Sequence, residues 1–397
     1  MRARGTTPTR AGQSAVTVAT TTEQVNALRS LWQSMSVSNL DADIDYFLTV
    51  VAHLPGVIAP HVLRVDRTGR PPMIIVARLE RHVFPVAVGY TELLRPHLRT
   101  VVVSFDGILG ARSDDDLAAA LHVLRGTVRR GEADAFILQK VSLNSPLQRA
   151  ALSGSARATR VGGLPSTRRW FVALPDTLDQ LLERRSVKAR KEAHYESRRL
   201  RRKYDDVDVV RLDLAGLDRV REDIELVART TYQRALGVGA SDSELGRALT
   251  ALSLDQGWLR VWMLYIDGSP TAFWWGNHYG DTFAIDTPGF DPRYAKDGVG
   301  IFVMHAMLDE LCQDPAVSVA DFGHGYAEYK ERYASSSVEQ RDVIVVAARV
   351  GPLLVGWFVA LIAAVNRLAY RLLRDRSFAT RLRRRWRAKL TASRRPD

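Results

Sequence analysis

Apolar residues recur at helical spacing near the start of the chain. TEQVNALRSLWQSMS (22–36) puts Val25, Leu28, Leu31, Trp32 and Met35 on one helical face, and DADIDYFLTVVAHL (41–54) reads as a second helix. The period then changes to two. HVLRVD (61–66) and MIIVARLE (73–80) flank the turn-rich RTGRPP and predict a hairpin. TVVVSF (100–105) is a continuous β-branched run, the pattern of a buried strand. SDDDLAAALHVLRGTVRR (113–130) opens on a capping serine and first-turn acids and continues as an amphipathic helix; DAFILQKV (134–141) is again a strand.

After the small, glycine-rich segment ALSGSARATRVGGLPSTRR (151–169), a linker by composition, the alternation resumes. WFVALP (170–175) reads as a strand, 177–204 as a long basic helix, VDVVRL (207–212) as a strand, and 215–235 and 242–254 as helices. WLRVWMLYI (258–266), PTAFWWGNHYG (270–280) and DTFAIDT (281–287) predict an antiparallel meander, with Asp267-Gly268 as its first turn. A glycine-rich turn (289–300), a helix (301–313) and strands at 317–322 and 340–348 follow. Strands and helices interleave throughout, which predicts an α/β (α+β) protein with mixed sheets. The order of elements in 24–141 echoes that in 215–348, as in a diverged duplication. The expected organisation is a disordered leader (1–22), a first lobe (23–150), a linker (151–169), a second lobe (170–348) and a hydrophobic and basic tail (349–397).

Charge sharpens the reading of the tail. The chain of 397 residues carries a formal net charge of +12. Residues 366–397 hold 12 Arg/Lys and 2 Asp, so +10 of it falls there and the body is near neutral. VGPLLVGWFVALIAAV (350–365), at 16 residues, is shorter than the roughly 20 that cross a bilayer, and it runs into RLAYRLLRDRSFATRLRRRW. A packed core helix, a short anchor and an in-plane amphipathic helix with snorkelling arginines all fit; attachment at an anionic membrane surface is the expectation taken forward. The first 22 residues have no apolar run of signal-peptide type. The single cysteine, Cys312, excludes an internal disulfide framework and suits a reducing compartment. The expected residence is cytoplasmic, peripheral to the inner face of the membrane. The nine histidines and one cysteine form no metal-ligand spacing, so no metal is expected.

Two stretches carry candidate chemistry. In KDGVGIFVMHAMLDEL (296–311), Gly298 and Gly300 stand where a turn enters a helix. The amides of Gly298, Val299, Gly300 and Ile301 can face an anion there, with Lys296 and Arg293 adding charge. There is no Walker-type motif, and a meander in place of a single strand argues against a dinucleotide fingerprint. The second stretch is DFGHGYAEYKERYA (321–334). Its DFG is not a kinase signature, because no glycine loop, lysine strand or H-R-D loop precedes it.

A meander, a G-x-G turn into a helix, a strand ending in Asp321-Phe322-Gly323, then Gly325 and Tyr329-Lys330, resembles the CelD-like acyltransferases. These are FemAB-like proteins with tandem acetyltransferase (GNAT) folds. Arg332-Tyr333 and the upstream Ser186-Val187-Lys188-Ala189-Arg190 match the same pattern, and the resemblance spans about residues 20–350. It implies transfer of an acyl group from acetyl-CoA or a longer acyl-CoA to an amine or hydroxyl of a sugar, glycolipid or cell-envelope precursor. The Gly298–Ile301 turn and Lys296 would hold the pyrophosphate. Such transfer needs a base, an acid for the thiolate and donors for the oxyanion. His324 between two glycines is the first candidate base, with Asp321, Glu328 and Tyr326 as alternatives; Tyr329 is a candidate acid. Trp274 and His278 share a strand face suited to a sugar ring or acyl chain. With Lys330, Lys188 and Arg190 they are the candidate substrate contacts. Two rival readings are an aminoacyl-tRNA-dependent Fem-like peptidyl transferase, favoured by the basic helix, and a non-catalytic membrane-surface binding protein. Other nucleic-acid binding is not expected, since no aromatic interleaving of the RNA-reading kind occurs.

Overall fold

The computed structural model describes residues 14–88, 91–183, 195, 198–212, 217–230 and 243–374. They fall into two compact units: unit 1 holds those of Met1–Thr167 and Glu339–Arg383, and unit 2 those of Arg168–Val338.

Unit 1 opens with β1 (Ser14–Ala19), α1 (Thr22–Asn26), α2 (Arg29–Gln33) and α3 (Ile44–His53). Thr21 caps α1 by accepting from the Gln24 amide, and Asp43 caps α3 by accepting from the Asp45 and Tyr46 amides. Then come β2 (Val57–Pro60), β3 (Val62–Arg67), β4 (Arg70–Val83), a hairpin of β5 (Val86–Val88) and β6 (Thr91–Leu94), β7 (His97–Leu109), α4 (Asp114–Arg129), β8 (Ala135–Ser142) and α5 (Pro146–Ser153). Unit 2 contains β9 (Thr167–Ala173), α6 (Leu178–Glu183), a helical turn at 198–203, β10 (Val207–Leu212), α7 (Leu217–Thr230) and α8 (Glu244–Asp255). It continues with β11 (Leu259–Ile266), β12 (Ser269–Tyr279), β13 (Thr282–Phe290), α9 (Val299–Gln313), β14 (Val319–His324) and α10 (Glu328–Tyr333). The chain then returns to unit 1 with β15 (Ser336–Val346) and α11 (Val350–Arg374).

The strand order in unit 1 is β1-β3-β4-β7-β8-β15, with β2 also beside β4; only β7–β8 is parallel. In unit 2 it is β9-β14-β13-β12-β11-β10, and only β13–β14 is parallel. The same plan recurs in each: a strand and helices, three antiparallel strands, a helix, a parallel strand, and a closing antiparallel strand. The closing strands are exchanged in sequence. β9 precedes the rest of unit 2, and β15, from beyond it, completes unit 1.

Two expectations are corrected by these pairings. Ser14–Ala19, placed in a disordered leader, is a strand whose six residues pair with Val62–Arg67. Residues 151–169 are no free linker: Val161 is buried, its amide bonds the Ile344 carbonyl at 3.1 Å, and Arg160 bridges to Val345. The helix after 349 packs on unit 1: its Leu353, Val355, Val359 and Ala360 lie against the core of Phe84, Leu98, Val102, Ile137, Ile344 and Val346. Of the long basic helix expected at 177–204, residues 184–194 and 196–197 lie outside the described residues.

The core that positions the functional region lies on one face of the unit 2 sheet. Phe302, Val303, Met304, Met307, Leu308 and Leu311 of α9 are buried against Trp262, Trp274, Phe283 and Phe322. Burying each such side chain is worth about 1.5–3 kcal/mol, so α9 is fixed firmly at its place over the sheet.

Candidate active site

β13 and β14 pair over three positions only: Thr282↔Val319, Phe283↔Ala320 and Ala284↔Asp321. Beyond these the strands part, for a local reason on each side. In β12–β13, Trp275 faces Thr287 and Gly276 faces Ile285, so Asp286 is an extra, bulged residue. In β9–β14, Phe322 is skipped between Asp321 and Gly323, and Gly323 has φ +70°. A bulge bends its strand and re-aims the side chain it carries. Gly276 permits the first one: a Cβ there would stand 2.3 Å from the Ala284 carbonyl oxygen. The opening is a cavity of about 740 Å³, lined by Trp274, Ile285, Asp286, Phe290, Phe322 and His324, the first turn of α9, and Tyr326, Tyr329 and Lys330.

The start of α9 forms one wall. A short 3₁₀ turn (Pro292–Asp297) leads to Gly298, whose left-handed φ of 71° turns the chain into the helix. No side chain caps this helix and its first turn carries no acid, so the first-turn amides meet no side-chain competitor. The turn is held from outside. Asp297 takes Lys203 Nζ at 2.8 Å and the Tyr204 hydroxyl at 2.8 Å; Arg199 donates to the Lys296 carbonyl at 2.8 Å; Trp274 Nε1 donates to the Gly300 carbonyl at 2.8 Å. An added Cβ would meet nothing within 4 Å at Gly298, and only Phe290 at 3.5 Å at Gly300. An uncapped helix start with open space over it fits a pyrophosphate.

The equivalent place in unit 1 does not. There the start of α4 is filled by its own Asp116, whose carboxylate accepts the Arg112 amide at 2.7 Å and pairs with Arg67 and Arg70. Burial alone would raise that carboxyl, but the Arg112 amide, Arg67, Arg70 and Ser113 outweigh it and hold it well below the usual range. A fixed carboxylate at that position excludes a second anion.

Four titratable groups distinguish the cavity. Asp286 is exposed in the opening, and desolvation by the atoms around it raises its pKa above the ordinary value. Lys330 is lowered by burial, partly offset by the charge of Asp321, and donates to the His324 carbonyl at 2.7 Å. Tyr329 stands edge-on to Trp274, with ring centroids 5.3 Å apart, and to Phe322 at 5.7 Å. Tyr326 is exposed, and the Glu331 carboxylate that takes its hydroxyl at 3.0 Å raises its pKa.

The structure brings together Trp274, Gly298, Val299, Gly300, Ile301, His324, Tyr329 and Lys330 from the sequence-based set. Others fall elsewhere. Asp321 is buried, does not line the cavity, and is tied to Arg169 and to the Gly323 amide at 2.8 Å, so it shapes the turn. His278 lies toward the far end of β12, against Arg260 at 2.7 Å and the Ala316 carbonyl. Lys296 contributes its carbonyl to Arg199, not its side chain to the lining, and Arg293 is neutralised by Asp291 at 2.6 Å. Lys188 and Arg190 lie outside the described residues. Asp286 was missed. An acid within the strand-like AIDT is an anomaly that flags it, but only the cross-strand register shows it as a bulge.

A family profile described as an acetyltransferase (GNAT) domain matches residues 188–331, the stretch that contains the splayed strands and the α9 turn. Comparison with curated proteins gives no match. Among solved structures, FemX is similar with a TM-score of 0.56 at 10% identity, covering 88% of this chain and 98% of that one. A conserved protein of unknown function from Bacteroides thetaiotaomicron VPI-5482 is similar with a TM-score of 0.50 at 13% identity, covering 83% and 99%. At such identities the likeness is one of fold. The profile falls on the unit whose helix start is open to an anion: residues 188–331 are a GNAT-type acetyltransferase domain, which makes this unit an acyltransferase, and the chain as a whole has an α/β fold of two units like that of FemX.

Proposed function

We propose that unit 2 transfers an acyl group from acetyl-CoA or a longer acyl-CoA to an amine or hydroxyl of a sugar, glycolipid or cell-envelope precursor. The observation that carries this reading is the joining of an uncapped, acid-free helix start to a splayed-strand cavity with a raised carboxyl in it. Acyl-CoA supplies an activated thioester carbon. The chain supplies the rest. The first-turn amides of α9 hold the pyrophosphate, and Trp274 fixes that turn through the Gly300 carbonyl. Asp286 takes the proton of the attacking amine or hydroxyl; its raised pKa makes it a better acceptor than an ordinary carboxylate. Tyr329 is the donor assigned to the departing sulfur. Lys330 fixes the His324 turn and sets positive charge at the cavity wall. His324, the first candidate from sequence, lines the cavity as part of that turn.

The test is thiol release from acetyl-CoA and longer acyl-CoAs with a panel of amino sugars and glycolipids. Turnover that needs both an acyl-CoA and an acceptor is expected. The rival reading draws on the basic residues around Arg198–Lys203 and takes charged tRNA as donor. Consumption of aminoacyl-tRNA, with no coenzyme A binding in calorimetry, would decide for that rival. Residence at the cytoplasmic face of a membrane is part of the proposal and suits a glycolipid acceptor.

A further inference from the structure

α11 has two unlike sides. At 100° per residue, Pro352, Gly356, Val359 and Ala363 share one side. Pro352 and Gly356 are buried, and Leu353, Val355, Val359 and Ala360 pack on the unit 1 core. Gly356 allows the close approach: a Cβ there would stand 3.2 Å from Val346 and 3.3 Å from Val161. Arg349 pins the helix start to Asp134 at 2.8 Å, and Asn366 donates to the Ala87 carbonyl at 2.7 Å. The opposite side carries Val350, Leu354, Trp357, Leu361, Val365 and Leu368, between 42% and 77% exposed. These six fall within an arc of about 80° and run about 27 Å along the axis. Trp357 already gives its indole N–H to the Ala158 carbonyl at 2.9 Å, so its exposed remainder is apolar. The neighbouring β5–β6 hairpin exposes Val88, Leu93 and Leu94 as well. Single exposed apolar side chains are ordinary; a continuous row this long marks a surface that meets something apolar.

The charge nearby identifies the partner. The sequence from 366 to 397 carries 12 Arg/Lys against 2 Asp, and Arg367 stands exposed in the helix beside Leu368. An apolar stripe bordered by arginine matches the interface of an anionic bilayer. By length and composition Val350–Ala369 is also sufficient to cross a membrane. Crossing, however, would pull Leu353, Gly356 and Val359 out of the unit 1 core. We propose that unit 1 docks on an anionic lipid surface with α11 lying in its plane, the Val350–Leu368 row inserted and the opposite side still packed on the protein. This inference does not depend on the acyl-transfer reading.

Deleting the helix would uncover the core, so the test uses exposed positions in the full chain. Wild-type protein and the Leu354→Asp/Leu361→Asp double variant are sedimented with vesicles of phosphatidylcholine alone or of an equimolar mixture with phosphatidylglycerol. Wild type is expected to bind the mixed vesicles, more weakly at high salt, and the variant to lose at least tenfold in affinity while keeping the wild-type melting curve. Wild-type affinity in the variant would overturn the proposal, since the basic end alone would then suffice. So would absence of vesicle binding, resistance of bound protein to alkaline carbonate extraction (a spanning helix), or a wild-type dimer in solution that the variant splits without any effect on lipid.

Discussion

Placing a carboxylate in the first turn of α9 separates an anion seat from a mere turn. In Gly300→Asp the added Cβ meets only Phe290, at 3.5 Å, an ordinary contact, and Gly300 is not in the left-handed region. The fold therefore has room for the change. An acid near a helix start is itself favourable by about 0.3–1 kcal/mol, so stability is expected to hold or rise slightly. Binding moves the other way. A carboxylate about 5 Å from one phosphate charge costs about 3 kcal/mol at an effective dielectric of about 20. Each 1.4 kcal/mol is tenfold, so coenzyme A affinity should fall at least about 100-fold. Gly300→Ala, with the same contact and no charge, should stay within about threefold of wild type, since no donor is lost. Titration calorimetry with coenzyme A reads affinity, and thermal melts read the fold. A folded Gly300→Asp protein with wild-type affinity would refute the idea that the pyrophosphate sits at this helix start.

Asp286→Asn keeps the bulge and the side-chain shape but removes the base. Its kcat/KM should fall by about 10²–10⁴, and the acid limb, which in wild type lies above the ordinary aspartate value because activity rises as the raised carboxyl ionises, should vanish from the pH profile. An unchanged acid limb would assign the proton to another group. Gly276→Ala drives a methyl to 2.3 Å from the Ala284 oxygen and should cost about 1–3 kcal/mol in denaturant unfolding; a neutral result would mean the bulge is not fixed as described. Asp116→Ala leaves half-buried Arg67 without its carboxylate and should cost about 3 kcal/mol at neutral pH. Because the folded Asp116 pKa is depressed, its contribution is present above about pH 4 and is lost as pH falls through the folded value, so wild type and variant should converge in acid; a constant gap would contradict the pairing.

Much of unit 2 was legible from local pattern. The meander, the Gly298 turn and the Val319–His324 strand all arise where side-chain period, glycine and Asp-Gly turns act over a few residues. The catalytic assignments were less legible. His324 and Asp321 stood out because they sit in a conspicuous motif, whereas burial with Arg169 removes Asp321 from the site. Asp286 looked like one polar residue among strand residues, and nothing in sequence marks which residue of β13 the register skips.

By itself, then, the sequence determined the kinds of elements, their order, the glycine-opened helix start and the two-faced apolar and basic helix near the end. These depend on side-chain period and backbone conformation close along the chain. The tertiary structure decided that β13 and β14 splay, that Asp286 and not Asp321 faces the opening, that β15 closes unit 1, and which side of α11 stays uncovered. Each of those outcomes is set by hydrogen-bond register and packing between residues far apart in sequence, which no local pattern encodes.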